Sequence, residues 1–353
     1  MTVVRRSFAL AVVAAVFVAA TSVSAFAATI QVFHGDSIQD AVDAAHRGDT
    51  IVVHKGTFRG GVKIKKNQLT LLGEGDGKNG TVIKPGRRHN SCSGGTAGIC
   101  VGSRAPHGHP IPTVGTTIRG FRVVGFRDFG VIAFNATKTT FRNSTFARTD
   151  EYGAAAFSSR KTKFVNNVAT DSEVSGFYIG DSPHAKAVLR NNVARHNGEF
   201  AFFLRDSSHA HAVHNKAVNN CLGMGLVNTG SPGGVHDWAI KRNHVLRNRR
   251  NCPDSEGGPS ISGTGIALLG ATHNVVQANI VNGNRSSGAS AFPGGIVLAS
   301  SVPFGGSNAA HNLIVGNRLR GNQPDDLFWD GKGKGNQFKR NHCATSQPGG
   351  LCQ

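Results

Sequence analysis

A short Asn-containing segment recurs along this chain, and its spacing limits the fold more than any other feature. The markers are Asn143, Asn166, Asn191, Asn215, Asn243, Asn279, Asn317 and Asn341. Their steps are 23, 25, 24, 28, 36, 38 and 24 residues, a period near 24 that insertions lengthen three times. Gly120 carries the register one step upstream without an Asn. A small residue falls ten after the marker at Gly130, Gly153, Gly176, Ala201 and Gly225, and a second Asn falls five after it at Asn220, Asn248, Asn284 and Asn322. The runs between, such as Val131-Ile132-Ala133-Phe134 and Phe202-Phe203-Leu204, are β-type, too short for helices, and punctuated by Gly, Asn and Ser. Three short strands per repeat predict an all-β solenoid. One coil cannot bury its own apolar face. Stacking buries it and brings like positions to about 4.8 Å from each other. Phe, Val, Ile and Ala then fill the inside, and Asn at a repeated turn can hydrogen-bond through its amide to the coils above and below.

The N-terminus bears on compartment. Arg5 and Arg6 precede an apolar run from Phe8 to Ala20, and Ala25-Phe26-Ala27 is a small-x-small cleavage site. This reads as a secretory signal peptide over residues 1–27, with a single domain over 28–353. Arg5-Arg6-Ser7-Phe8 also fits a twin-arginine signal, and an ordinary basic leader fits as well. The run is too short for a membrane anchor, and no later stretch could span a bilayer. The net charge of +19 falls to +17 without Arg5 and Arg6. A secreted chain so basic is suited to anionic partners: acidic polysaccharide or an anionic wall polymer. The charge forms no basic tail, which weakens a nucleic-acid reading. Solubility alone is the plainer use of the same charge. A monomer is expected.

The repeat resembles the right-handed parallel β-helix superfamily, the pectin-lyase-like fold, and within it the NosD-like β-helix repeat group. The resemblance covers the chain from about Ala28 onward. The stretch from Gly35 to Phe58 fits a short capping helix over the open end of the solenoid: Ser37 as N-cap, Ile38, Val42 and Ala45 on one face, Gly48 at its end, then a strand over Thr50 to Val53. The fold class expected is thus a right-handed parallel β-helix of ~24-residue coils with an N-terminal capping helix. Such a fold hosts lyases, hydrolases, epimerases, adhesins and proteins without catalysis, so it does not give the activity.

In this fold the position ten after the marker opens the first strand of the next coil. Residues 249–263 and 285–294 then precede a first strand. Residues 228–236 and 300–308 follow one, as should 85–113. All flank one face, where the resemblance would lay a polysaccharide, although insertions on a tolerant scaffold would look the same. The register pairs Cys221 with Cys252 on neighbouring coils; Cys92 with Cys100 would close the tip of the first long loop, and Cys343 with Cys352 would pin the C-terminal tail. No CxxC spacing suggests zinc.

Two stretches carry candidate chemistry. Asp181-Ser182-x-His184 and Asp206-Ser207-x-His209 lie 25 residues, one coil, apart, and the match continues through Ala185/Ala210, Ala187/Ala212 and Val188/Val213. Stacking would bring His184 to His209 and Asp181 to Asp206, a set able to move protons or bind a metal. The alternative is a turn copied with its coil, since Asp and Ser are turn residues. The run invites comparison with the Asp-Pro-His-Asp motif of alginate epimerases, but Ser182 is inserted and Ala185 stands where the second Asp belongs. Asp150, Glu151, Glu173 and Glu199 fall at nearly equivalent positions of three coils in a chain with only 20 acids. Stacked carboxylates call for a cation such as Ca2+, an acid/base role, or pairing with Arg148, Arg195 or Arg205.

β-Elimination on a uronate needs a cation for the carboxylate and a base for the adjacent proton. Arg205, His184, His209 and the acids span the same three coils, with Tyr152 and Tyr178 as acid or stacking platform. Two Trp and two Tyr, with most of the 21 Phe expected in the core, leave few platforms for a neutral glycan and favour an anionic one. The function expected is therefore a secreted β-helix protein that binds or processes an acidic polysaccharide, with a non-catalytic wall-associated or adhesive solenoid as the alternative. Copper binding, through His89, His107, His109, His211 and His214, is what the NosD resemblance adds in third place.

Overall fold

The structure is a computed structural model, and it describes residues 27–87, 92, 94–103, 112–253 and 259–352. The signal segment lies outside these residues apart from Ala27. Among the described residues no helix is long and apolar enough to cross a membrane.

Each coil contributes one strand to each of three parallel sheets. The first contains Ala97–Gly102, Phe129–Phe134, Tyr152–Phe157, Ser175–Ser182, Leu222–Val227, Thr264–Leu269 and Gly294–Ala299. The second contains Thr117–Arg119, Thr140–Arg142, Lys163–Val165, Val188–Arg190, His236–Lys241 and Val275–Gln277. The third has 10 strands, among them Thr145–Ala147, Val168–Thr170 and Val193–Arg195. Phe200–Val213 is a single strand of 14 residues that runs through the first sheet into the second. It joins the two sheets into one of 22 strands.

Alternation along these strands puts every second side chain inside. Phe141 stacks on Phe164 at 5.3 Å and Phe177 on Phe202 at 5.1 Å, all fully buried. Each such ring contributes roughly 2–3 kcal/mol of burial. The N-terminal end is closed by the helix Ile38–Ala44, whose Ser37 hydroxyl accepts from the Asp40 N–H at 3.2 Å. Ile38, Val42 and Ala45 are buried over the first coil, as expected. The helix stops at Ala44, however, and Gly48 (φ 93°) shapes the later turn into Thr50–Val53.

The Asn register needs a one-residue correction. The buried row is Ser144, Asn167, Asn192, Asn215, Asn243, Asn279, Asn317 and Asn341. From Asn167 to Asn317 each side-chain amide in it donates to the next, as from Asn215 to Asn243 at 3.0 Å and from Asn243 to Asn279 at 3.0 Å. Asn143, Asn166 and Asn191 stand one residue earlier, in left-handed backbone at φ 50–56°. Both positions hold Asn at 166–167 and 191–192, so sequence alone could not choose between them. The second row runs as expected through Asn220, Asn248, Asn284 and Asn322, and begins at Asn197. The small-residue column also shifts: Gly225 faces Phe203, and the partner of Ala201 is Gly223, where a Cβ would lie 2.3 Å from Val245.

The stretch 85–113 is not one loop. Strand Ala97–Gly102 crosses it and pairs with Val62–Ile64 and Phe129–Phe134. The other insertions meet in pairs beside the first sheet. The Asn228 amide donates to the Ser307 hydroxyl at 3.0 Å, and Ala291 N–H to the Ser260 carbonyl at 3.0 Å. The three disulfides are those expected: Cys92–Cys100, Cys221–Cys252 and Cys343–Cys352.

Candidate functional site

The paired Asp-Ser-x-His stretches lie where the first sheet turns into the second. Ser182 pairs with Ser207, so Asp181 and Asp206 do stack, both in left-handed backbone. Beyond them the match fails. Val188 pairs with His211, not with Val213, and Leu189 with Ala212. The first copy closes a turn, Ala185 N–H to Ser182 carbonyl at 3.0 Å, while the second copy continues as strand. Two extra residues enter the first coil there. The imidazoles still meet, with His184 and His209 ring centres 5.5 Å apart.

The other expected catalytic groups hold one another. Arg205 donates to the Asp181 carboxylate at 2.9 Å, its Nε faces Asp206 at 3.5 Å, and its guanidinium lies 5.9 Å from the centre of the Tyr178 ring. Asp206 is fully buried and accepts from the backbone N–H and the hydroxyl of Thr229. A carboxylate so satisfied anchors a turn. Tyr178 is also fully buried, and its hydroxyl has no hydrogen-bond partner. Burial pushes its phenol far above the ordinary value, against a smaller opposing pull from Arg205. The phenol is thus held neutral and away from solvent.

Tyr178 belongs to an aromatic wall on the outer face of the first sheet. It stacks on Tyr152 at 4.6 Å, packs on Phe157 at 4.5 Å and meets Phe203 edge-on at 5.3 Å, and Phe200 stacks on Phe203 at 4.2 Å. Ile132, Ala155, Ala267 and Val297 on the same face are buried as well. Several Phe expected in the core therefore coat the outside of this sheet, and the aromatic scarcity inferred from composition does not hold there. Alternation at one position per strand predicts this face, but short runs such as Phe200-Ala-Phe-Phe203 hide which ring points out.

The acidic column divides in two. Val174 N–H donates to the Glu151 carbonyl and Glu199 N–H to the Val174 carbonyl, so Val174 separates Glu151 from Glu199. Asp150 and Glu173 occupy the neighbouring row, where Gly198 follows. Among the described residues one group of His, Cys, Asp or Glu gathers three ligand atoms within 4.8 Å, and it is His209, His236 and Asp237. Of the histidines proposed for copper, His89, His107 and His109 lie outside the described residues.

A second feature lies on the outer face of the second sheet. Lys138, Thr140, Lys161, Lys163, Lys186, Val188, His209 and His211 line a groove of about 590 Å³ with no carboxylate in its wall. The strand row reads Thr140, Lys163, Val188, His211. The turn row reads Lys138, Lys161, Lys186, His209, at φ of 59°, 57°, 45° and 57°. Such backbone holds a side chain at a cost of about 1–2 kcal/mol, and glycine meets it freely at Gly115, one coil upstream. The turn therefore does not require lysine. No ion pair to a carboxylate joins these four lysines among the described residues. Sequence reasoning missed this row, although Lys138, Lys161, Lys186 and His209 follow one another at 23, 25 and 23 residues.

A family model described as right handed beta helix region matches residues 79–249. No curated protein matches the sequence. Among solved structures, the Dettilon tailspike protein has a TM-score of 0.53 at 16% identity, covering 90% of this chain. This chain spans 58% of the tailspike's length. The A-module of the Azotobacter vinelandii mannuronan C-5 epimerase AlgE4 has a TM-score of 0.53 at 16% identity, over 88% of this chain and 91% of the module. An alginate lyase from a Paenibacillus species has a TM-score of 0.51 at 15% identity, over 87% of this chain and 99% of the lyase. At such identities the shared property is the fold.

Proposed function

We propose that this right-handed parallel β-helix protein binds an acidic polysaccharide along the lysine groove of its second sheet, as a secreted protein. One observation carries the reading: four lysines without carboxylate partners stand on three consecutive coils in one groove. Their backbone step is about 4.8 Å. A glycan with one carboxylate per sugar presents its charges along a line in the same way, and a flat basic protein would not. The fold neighbours named for mannuronan and for alginate act on polymers of this class, which agrees with the reading. The three disulfides suit an oxidising compartment.

The reading is of binding without elimination. Arg205, which would neutralise a uronate carboxylate, is already held by Asp181 and Asp206. Tyr178 is buried.

Polygalacturonate, alginate and a neutral dextran, titrated at low and high salt, test it. Binding of the two acidic polymers that weakens with salt is expected, with no rise in unsaturated-uronate absorbance. Lys161→Ala, Lys163→Ala and Lys186→Ala combined should weaken binding about tenfold or more, taking each desolvated contact at roughly 0.5–1 kcal/mol. Equal binding by that variant, or equal binding of dextran, would sink the proposal. Dextran binding would point instead to the aromatic wall of the first sheet.

A further inference from the structure

The turn row that carries the lysines changes character after Lys186. His209 follows, then Asp237, in register through the pairing of Ser208 with His236. His236 is the residue before Asp237, and one ligand atom from each of the three lies within 4.8 Å of the others. We propose that His209, His236 and Asp237 form a binding site for a divalent transition-metal ion of the zinc or copper class.

The hydrogen bonds around His209 fix which nitrogen faces the site. The Ser208 hydroxyl bonds the Pro183 carbonyl, which can only accept, so the hydroxyl proton points there. The Ser208 oxygen is then left to accept from His209 Nδ1, 2.7 Å away. In the neutral ring the lone pair is on Nε2, and Nε2 faces the Asp237 carboxylate at 3.5 Å. A lone pair turned toward an anion is unfavourable unless a cation lies between. The separation itself fits: ligands about 2.0–2.1 Å from a metal at a near-tetrahedral angle are roughly 3.3–3.5 Å apart. Ser208 is buried, so the tautomer is set by the body of the protein and not by the surface.

His236 completes the set. Its Nδ1 donates to the Asp237 carboxylate at 2.7 Å, and its ring meets that of His209 edge-on at 5.1 Å. Metal binding requires this Nδ1 proton to leave or move to the other ring nitrogen. Two imidazoles and one carboxylate are a donor set for zinc or copper, whereas calcium takes oxygen ligands alone. His184, 5.5 Å from His209 between ring centres, is a further imidazole beside the set. Asp237 supplies the single negative charge of the set, next to His209 in the row.

The site stands independently of polysaccharide binding, and its test needs no polymer. Zinc sulfate and copper(II) chloride, titrated calorimetrically into the full chain, should show one saturable site whose copper form gives a nitrogen-split electron paramagnetic resonance spectrum. His236→Ala and Asp237→Asn should each weaken it about tenfold or more, and Ser208→Ala about tenfold, with the far-ultraviolet circular dichroism of the β-helix kept. Asp237→Asn retains a residue suited to left-handed backbone, so loss of binding there is not loss of the turn. Absence of saturable binding, or wild-type affinity in both ligand variants, would overturn the proposal. In that case the three side chains are a surface cluster that holds no metal.

Discussion

A Cβ on Gly180 would lie 1.9 Å from the phenol oxygen of Tyr178, two residues earlier on the same strand. The missing side chain at Gly180 is thus the space that the Tyr178 hydroxyl fills. Gly180→Ala must push the ring out of the aromatic wall, and should cost about 2–3 kcal/mol in urea denaturation, as overpacking does. Tyr178→Phe removes a buried hydroxyl that has no partner. It should leave stability unchanged or raise it by up to about 1 kcal/mol. A marked loss in Tyr178→Phe would show that the hydroxyl has a partner after all.

The two aspartates of the repeated turn should separate by burial. Asp206 is fully buried against Thr229 and Arg205, and Asp206→Ala should cost about 3–5 kcal/mol by stranding the Thr229 N–H and one side of Arg205. Asp181 is more than a third exposed, and Asp181→Asn should change stability by less than about 1 kcal/mol. Thermal melts of the two variants provide the comparison, and equal effects would contradict the structural role given to Asp206.

The Asn row predicts a large local cost. The Asn243 amide donates to the Ala212 carbonyl at 2.9 Å and to Asn279 at 3.0 Å, and its oxygen accepts from the Asn215 N–H at 2.8 Å. Asn243→Ala leaves buried groups on both adjoining coils without partners, at about 1–3 kcal/mol each. The neighbouring Arg242 stands in left-handed backbone at φ 54°, and Arg242→Gly should stabilise by a few tenths to about 1 kcal/mol. Guanidinium unfolding of the pair should show opposite signs.

Asp49 gives a pH dependence. Its carboxylate accepts from the N–H groups of His46 and Ala28, both at 2.7 Å, and these bonds, the His46 one first, hold it below the ordinary carboxylate value of 3.8. A depressed folded value stabilises above the unfolded value, and the gain is lost as pH falls through the folded value. The wild-type advantage over Asp49→Asn should therefore be complete above about pH 5 and shrink below pH 4. An advantage that does not change between pH 6 and pH 3 would refute the assignment.

The repeat made most of the fold legible. A period near 24 placed the coils, and a register good to one residue was enough to pair Cys221 with Cys252, because stacked turns are close over several residues; the other two pairs are local, 8 and 9 residues apart. Finer features needed coordinates. Asn166-Asn167 and Asn191-Asn192 present two Asn where one is buried and the other makes the turn. Pro183 lies in a turn that holds two residues more than its counterpart, so Val188 meets His211, and nothing in a matched motif announces that slip. Parity also decided the acids, since Glu151 and Glu173 differ from one coil step by a single residue and fall in different rows. The lysine row was open to the same spacing argument as the Asn row. It was obscured because lysine on a surface ordinarily means only solvation.

The second Asn row ends on Asp326, which accepts from the Asn322 amide at 2.8 Å and from the Asn322 N–H at 3.1 Å. Every amide in that row, from Asn197 onward, donates toward the C-terminal coil. Their dipoles are therefore parallel, and the row carries a partial positive charge at its C-terminal end, as a helix does at its N-terminus. A carboxylate placed there is the electrostatic counterpart of an acidic helix cap. Its other oxygen accepts from the Ala344 N–H of the following coil at 3.0 Å, so the row closes on Asp326 with its last amide satisfied and the carboxylate shared with the final turn.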